Sequence, residues 1–269
     1  LHVRLLHPYP LEVVTREEYS ALHGLNFSTI KHLLRGPGFF KHALANPVEE
    51  TSFMRVGTAT HSRILEGKDL SELYAVKPEG MSFTTKDGKA WRDSQVLPII
   101  THDEFTAIQG MERAILNHKV ARELLNVCSE RETGLTGEIG GRNFKALLDA
   151  SSRAGVILDL KKVQDAREHV FQSTVQERHY DLQFYLYDRL YGGGNYCAWI
   201  AVEERAPHGL EVWTMTPDLL ASGEEKFERC IRILEECERT GEWPPYPLHD
   251  EPRALGLPQW RKNEISGRF

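Results

Sequence analysis

The spacing of apolar positions changes character part-way along the chain. Up to about residue 127 they recur at three- and four-residue intervals, as in helices; beyond it, short apolar runs bounded by glycines and charges read as strands. "NFSTIKHLLRGPGFFKHALANP" predicts two short helices split by Gly36-Pro37-Gly38, with Ser28 as N-cap of the first and Pro47 after the second. "RVGTATHSRILEGK" predicts a third, opened by Gly57-Thr58 and closed by Gly67. Residues 78–100 give mixed signals, and "SFTTKDGKAW" reads as an exposed loop. Helical spacing resumes over 101–127. Residues 132–139 read as a strand ended by Gly140-Gly141, and 143–150 with 156–163 read as a hairpin around "SSRAG". A helical region over about 165–191 stops at Gly192-Gly193-Gly194. "YCAWIAVEE" and "LEVWTMT" form a second strand pair, and "PDLLASGEEKFERCIRILEECERTGEW" an amphipathic helix with Pro217 near its start. The tail, rich in Pro and Arg, reads as irregular. This order predicts one α/β or α+β domain over 1–269: a mainly helical part (1–127), a sheet-containing core (128–245) with a mixed sheet flanked by helices, and a tail (246–269).

Charge interrupts the predicted hairpin. Asp159 and Lys161 are two apart on one strand and share a face. With "SSRAG" as a five-residue loop, Ala150 faces Val156 and Asp149 faces Ile157, which sets Asp149 diagonal to Asp159 and within reach of a shared ion. A slip of one residue would send Asp149 to the other face. Two carboxylates on adjacent strands without an obvious partner suit a hard cation such as Mg²⁺. Such an ion polarises a phosphodiester and activates water, and a lysine beside it orients that water or stabilises charge in the transition state. The same residues also read as a solvated Asp–Lys pair on an outer face, with Asp149 merely opening the turn.

Other residues keep company with this set. His61, in "GTATH", falls near the first turn of its predicted helix, where free N–H groups favour anions; it reads as a metal ligand, a phosphate contact or an ordinary half-buried histidine. Tyr180, Gln183 and Tyr187 share a helix face, an aromatic stripe in which the amide is the oddity; Gln183 could bind the lysine, a water or a DNA phosphate. The helix starts at Ser28 and Thr58, with Lys31, Arg35, Lys41 and Arg63, read either as backbone-phosphate contacts or as solvated surface.

Composition narrows the field. The balance of 41% hydrophobic and 27% charged residues is that of a globular chain, and no stretch is apolar and long enough to span a bilayer. There is no signal-peptide pattern, and the opening at Leu1 rather than Met is expected of a fragment or a processed start. Cys128, Cys197, Cys230 and Cys237 are scattered without a CxxC pair, which fits reduced cytoplasmic thiols and not a zinc ribbon or iron–sulfur cluster. The net charge of −6 does not advertise a nucleic-acid binder, yet the acidity concentrates late: residues 217–242 hold eight acids and four bases, a local −4. The N-terminal segment remains free to meet an anion.

In order, "NFSTIKHLLRGPGFFKHAL", "GTATH", "KALLDA", "LDLKKV" and "YDLQFYLY" resemble the motifs of the RecE-type exonucleases (exonuclease VIII) of the PD-(D/E)xK nuclease superfamily, over about residues 27–191. The resemblance implies a Mg²⁺-dependent double-strand DNA exonuclease, with Mn²⁺ as substitute, digesting 5′ to 3′ and leaving 3′ tails for recombination by strand annealing. It implies Asp149 and Asp159 as metal ligands with His61 near the metal, Lys161 as the catalytic lysine, and Gln183 and Tyr187 as supports of the lysine or the DNA strand; on this chain's own spacing, His61 and the Leu160 carbonyl are expected to join the two aspartates in positioning one or two Mg²⁺ ions. It further implies a homo-oligomeric ring around the duplex, a RecT-type annealing partner, and the cytoplasm of a bacterium or a phage-infected host. The chain departs from the family in lacking the Arg-Pro before Asp149 and in having Lys162-Val163 where Thr-Thr is usual. Alternatives are another nuclease of the superfamily, RecB-like or an endonuclease, and a non-catalytic DNA-binding subunit. The missing cysteine cluster disfavours the iron–sulfur type.

Overall fold

The computed structural model describes residues 13–14, 16–46, 51–247 and 251–266. β1 (Val13–Val14) and α1 (Arg16–Ala21) precede α2 (Phe27–Arg35) and α3 (Pro37–Ala45). Asn26, not Ser28, caps α2: its side chain accepts from the Thr29 amide at 3.0 Å, and Ser28 lies inside the helix and donates to Asn26 Oδ1 at 2.7 Å. Gly36 and Gly38 answer a packing need, because a Cβ on either would collide with the backbone of Pro245, which crosses there. Pro47, the expected stop after α3, lies outside the described residues.

α4 (Ser52–Ile64) begins earlier than expected. Thr51 caps it, accepting from the Met54 amide at 3.2 Å, and Gly57 sits mid-helix in open space. After α5 (Leu70–Leu73) and β2 (Ala75–Val76), part of the expected loop is α6 (Lys86–Ser94), capped by Thr85. β3 (Ile99–Ile100) leads into α7 (His102–Asn117) and α8 (Lys119–Val127), which divide the expected long helix at His118. Then come β4 (Glu130–Ile139), β5 (Arg142–Ser152), β6 (Val156–Val163), α9 (Glu168–Arg178), α10 (Tyr180–Leu190), β7 (Tyr196–Glu203), β8 (Leu210–Thr214) and α11 (Pro217–Thr240). The tail, read as irregular, contains α12 (Gln259–Ile265).

The main sheet has the order β1-β4-β5-β6-β7-β8, with β6 and β7 parallel and the other pairs antiparallel. A parallel pair needs a crossover, and α9 and α10 provide it. The sheet divides two cores. Ile30, Phe40, Phe171, Phe184, Trp199 and Phe227 fill the one beneath α2, α3, α9, α10 and α11. Val56, Ile108, Met111, Leu125, Leu158 and Ile200 fill the other, beneath α4, α7 and α8. β7 therefore buries alternate residues on opposite faces, Cys197, Trp199 and Ala201 against Ala198, Ile200 and Val202, which explains the unbroken apolar run in its sequence. α10 and α11 meet at Gly223, where any side chain would strike the Asp181 carbonyl.

The β5–β6 register differs from the expected one by two residues. Ser152 pairs with Val156 and Ala150 with Leu158, so the turn holds three residues, 153–155, instead of five. A shift of two keeps every side chain on its face. Continued one position further, this register sets Asp149 directly opposite Asp159 rather than diagonal to it. Among the described residues, no helix is long and apolar enough to cross a membrane.

Candidate active site

The site forms where the sheet opens. β4 pairs with β5 at Arg131↔Ala150 and Thr133↔Leu148, but not at Glu132 and Asp149 between them. Glu132 is left-handed (φ 47°), a conformation that costs a non-glycine residue about 1 kcal/mol or more and clusters at functional positions. Phe144, Ala146 and Leu148 belong to the first core, whereas Ala150, of the same parity, belongs to the second. The strand thus changes face across Asp149. Backbone pairing of β5 with β6 ends at Ala150↔Leu158, and the Asp149 carboxylate takes over by accepting the Leu160 amide at 2.7 Å.

α4 brings His61 to this opening from the second face. His61 Nδ1 lies 3.3 Å from Glu132 Oε1 and 3.5 Å from Asp149 Oδ1. Its Nε2 donates to the Leu160 carbonyl at 3.1 Å. Burial disfavours a charge on this imidazole, but Asp149 first and Glu132 next outweigh it and push its pKa up to about 9. The ring is in the last turn of α4, not the first as expected, because the helix starts at Ser52. The helix dipole there favours positive charge, the reverse of the anion-binding role anticipated for this position.

Asp159, 1% exposed, completes the arrangement from β6. Lys161 Nζ lies 2.6 Å from its Oδ2, and Gln183 Nε2 donates to its Oδ1 at 3.1 Å and to the Tyr187 hydroxyl at 2.9 Å. Burial holds the Asp159 carboxyl above the usual range; the Lys161 ammonium pulls it down and Asp149 pushes it up. Lys161 Nζ also stands over the Tyr180 ring, 4.5 Å from its centroid.

Ligand-type atoms of His61, Glu132 and Asp149 lie within 4.8 Å of one another. Two buried carboxylates and an imidazole drawn strongly toward the cationic form constitute a pocket that calls for positive charge, and they fit a divalent metal ion. The Nε2–Leu160 contact would fix the tautomer that leaves Nδ1 as a metal-binding lone pair.

A profile of the family described as a PDDEXK-like domain of unknown function (DUF3799) matches residues 26–248. The chain belongs to this family. A comparison with curated proteins finds no match. Among solved structures, the fold is similar to a crystal structure from Eubacterium rectale provisionally described as an exonuclease, with TM-score 0.55, 17% identity and coverage of 86% of each chain. The mixed sheet with helices on both faces is thus a PDDEXK-like, nuclease-type core.

On this PDDEXK-like core, the structure brings His61, Asp149, Asp159, Lys161 and Gln183 together. The remaining expected residues stand elsewhere or in other roles. The Leu160 carbonyl, expected among the metal ligands, meets His61 Nε2 and so orients the ring. Tyr187 is 7% exposed and faces Gln183, buried rather than presented to a strand. Thr58 is mid-helix, its hydroxyl donating to the Met54 carbonyl. Arg63 is held by Glu112 at 2.9 Å, Arg35 stacks on Phe39, and Lys41 lies over Trp243. Sequence reasoning missed Glu132. Its signal was the one used for Asp159, a carboxylate within a strand that packs, but the residue had been taken as the start of the strand.

Proposed function

We propose that the protein is a metal-dependent nuclease that hydrolyses DNA phosphodiester bonds, acting from double-stranded ends. The observation that carries this reading is the convergence of His61, Glu132 and Asp149 beside the Asp159–Lys161 pair at the opening of β5 and β6. His61, Glu132, Asp149 and Asp159 would hold the ion, with Mg²⁺ favoured by the carboxylates and Mn²⁺ made acceptable by the imidazole. A divalent ion bound there supplies Lewis acidity and a more acidic water. Lys161, anchored on Asp159, offers a cation for charge developing on the phosphoryl oxygens or a donor that orients the attacking water. Gln183 keeps Asp159 in one rotamer, and Leu160 does the same for His61 through its carbonyl and for Asp149 through its amide.

The finer reading rests on the motif resemblance to RecE-type exonucleases: 5′-to-3′ digestion leaving 3′ tails, a ring-shaped homo-oligomer, and cooperation with a RecT-type annealing protein. The test is digestion of linear duplex DNA labelled at either the 5′ or the 3′ end, beside a covalently closed circle, in Mg²⁺ or Mn²⁺. Early release of 5′ label with the circle intact supports the whole reading. Early release of 3′ label reverses the polarity, and cutting of the circle makes the protein an endonuclease. No hydrolysis of any substrate by a folded, metal-loaded protein refutes the nuclease assignment.

A further inference from the structure

Lys161 carries its ammonium on a long flexible stem, and the ion pair with Asp159 at 2.6 Å fixes only one side of it. The other side meets the face of Tyr180, 4.5 Å from the ring centroid. The lysine side chain is 16% exposed, so this cation–ring contact is largely desolvated and stands at the strong end of its range. The backbone behind the ring is well held. α9 ends at His179, whose left-handed conformation (φ 59°) turns the chain and makes Tyr180 the first residue of α10. The next residue, Asp181, is wholly buried and accepts from Lys226 Nζ at 2.6 Å and Ser222 Oγ at 2.7 Å, both on α11. One turn along, Gln183 donates to Asp159 Oδ1 at 3.1 Å. Tyr180 and Gln183, at i and i+3, therefore share a face of α10 and hold the two halves of one ion pair, the ring on the ammonium and the amide on the carboxylate.

We propose that Tyr180 is a positioning residue of the hydrolytic centre, its ring holding the Lys161 ammonium against Asp159 and aimed at the reacting phosphodiester. This rests on the nuclease reading and adds to it a residue that acts through the lysine. The contact uses the ring face, so phenylalanine can replace the tyrosine and an aliphatic side chain cannot. With leucine there, the lysine keeps one anchor and regains freedom along its stem. Loss of orientation in a catalytic group lowers turnover and leaves substrate binding alone.

The experiment follows steady-state digestion of linear duplex DNA in Mn²⁺ by wild type, Tyr180→Phe and Tyr180→Leu, with Tm and calorimetric Mn²⁺ affinity on the same preparations. Tyr180→Leu should lower kcat about tenfold, with KM and Mn²⁺ affinity unchanged, and Tyr180→Phe should stay within about threefold of wild type. In a Lys161→Ala background, Tyr180→Leu should cost nothing further, because the residue it acts through is gone. A second readout needs neither metal nor activity. In protein carrying ¹³C-labelled lysine and held in EDTA, the ring face should shift the Lys161 Hε resonance, assigned by its loss in Lys161→Ala, upfield of the other lysines. The shift should persist in Tyr180→Phe and vanish in Tyr180→Leu. Should Tyr180→Leu fail to fold, Tyr180→Met takes its place. Wild-type turnover in the aliphatic variant, or the same loss with and without Lys161, overturns the proposal, as does an unshifted wild-type resonance. If wild type hydrolyses no DNA, the nuclease reading fails and the resonance alone judges the hold on Lys161: a shift lost in Tyr180→Leu sustains it, and a shift absent or retained overturns it.

Discussion

Gln183→Leu separates support of the site from support of the fold. Gln183 is 7% exposed, and its amide nitrogen donates to Asp159 Oδ1 and to the Tyr187 hydroxyl. A bond to a carboxylate contributes about 1.5–3 kcal/mol and a neutral one about 0.5–1.5 kcal/mol, so leucine forfeits about 2–4.5 kcal/mol. The Gln183 carbonyl oxygen, however, is buried without a partner, and removing such an orphan returns about 1–3 kcal/mol. The two changes largely cancel, and urea unfolding should show a loss of only about 1–2 kcal/mol. Function should suffer far more. A partner that orients a metal ligand is worth about 10–100-fold in metal affinity or activity, and Asp159 would keep only Lys161 to orient it. Calorimetric Mn²⁺ titration and duplex digestion, run beside the unfolding curves, measure both. The reasoning is refuted if affinity and activity stay within threefold of wild type. It is refuted equally if stability falls by more than about 4 kcal/mol, because Gln183 would then be holding up the core.

Other perturbations probe the remaining contacts. Glu132→Gln should lower Mn²⁺ affinity by at least tenfold while unfolding shifts little, since the amide keeps the shape but not the charge; unchanged affinity would remove Glu132 from the ligand set. In chelated protein, the raised pKa of His61 gives stability that is fully present below about pH 6.5 and disappears as pH rises through about 9. The ceiling is about 3 kcal/mol, which a ring one-quarter exposed reduces to about 1–2 kcal/mol; unfolding curves of wild type and His61→Ala between pH 6 and 10 should converge by that amount, and parallel curves would contradict the assignment. Lys226→Met leaves the fully buried Asp181 without its cation and should cost about 3–5 kcal/mol in urea unfolding, with Asp181→Asn in the same chain recovering much of the loss.

The strands that carry the chemistry were legible because the hairpin keeps a period of two. The turn proved shorter than expected, but a shift by an even number left Asp149, Asp159 and Lys161 on the intended side. The apolar run of β7 and the helical stretch over about 165–191 were readable for the same reason, the match between spacing and burial, whereas its break into α9 and α10 at His179 was not. Helix starts were less so. Gly57 resembles a boundary, yet it lies over open space inside α4, where its lack of a side chain costs only about 1 kcal/mol of helix propensity. That misplacement reversed the electrostatics expected at His61. Glu132 was hidden for a different reason: nothing in its neighbours announces a left-handed glutamate, and the opening of the ladder at Asp149 exists only once three strands are assembled. α6 was obscured by polar residues and by Gly88, whose Cβ would collide with the Ser82 carbonyl, so the glycine marks a tight approach and not a loop.

The central claim is that Lys161 acts beside a bound ion without being needed to bind it. Duplex hydrolysis and Mn²⁺ affinity of Lys161→Ala, measured on the same preparation, test it most directly. The account predicts Mn²⁺ affinity equal to wild type or higher, since the ammonium no longer competes for Asp159, with hydrolysis reduced by about 10²–10³, the loss typical of removing one preorganised donor at developing charge. Hydrolysis at the wild-type rate with the lysine gone would contradict it.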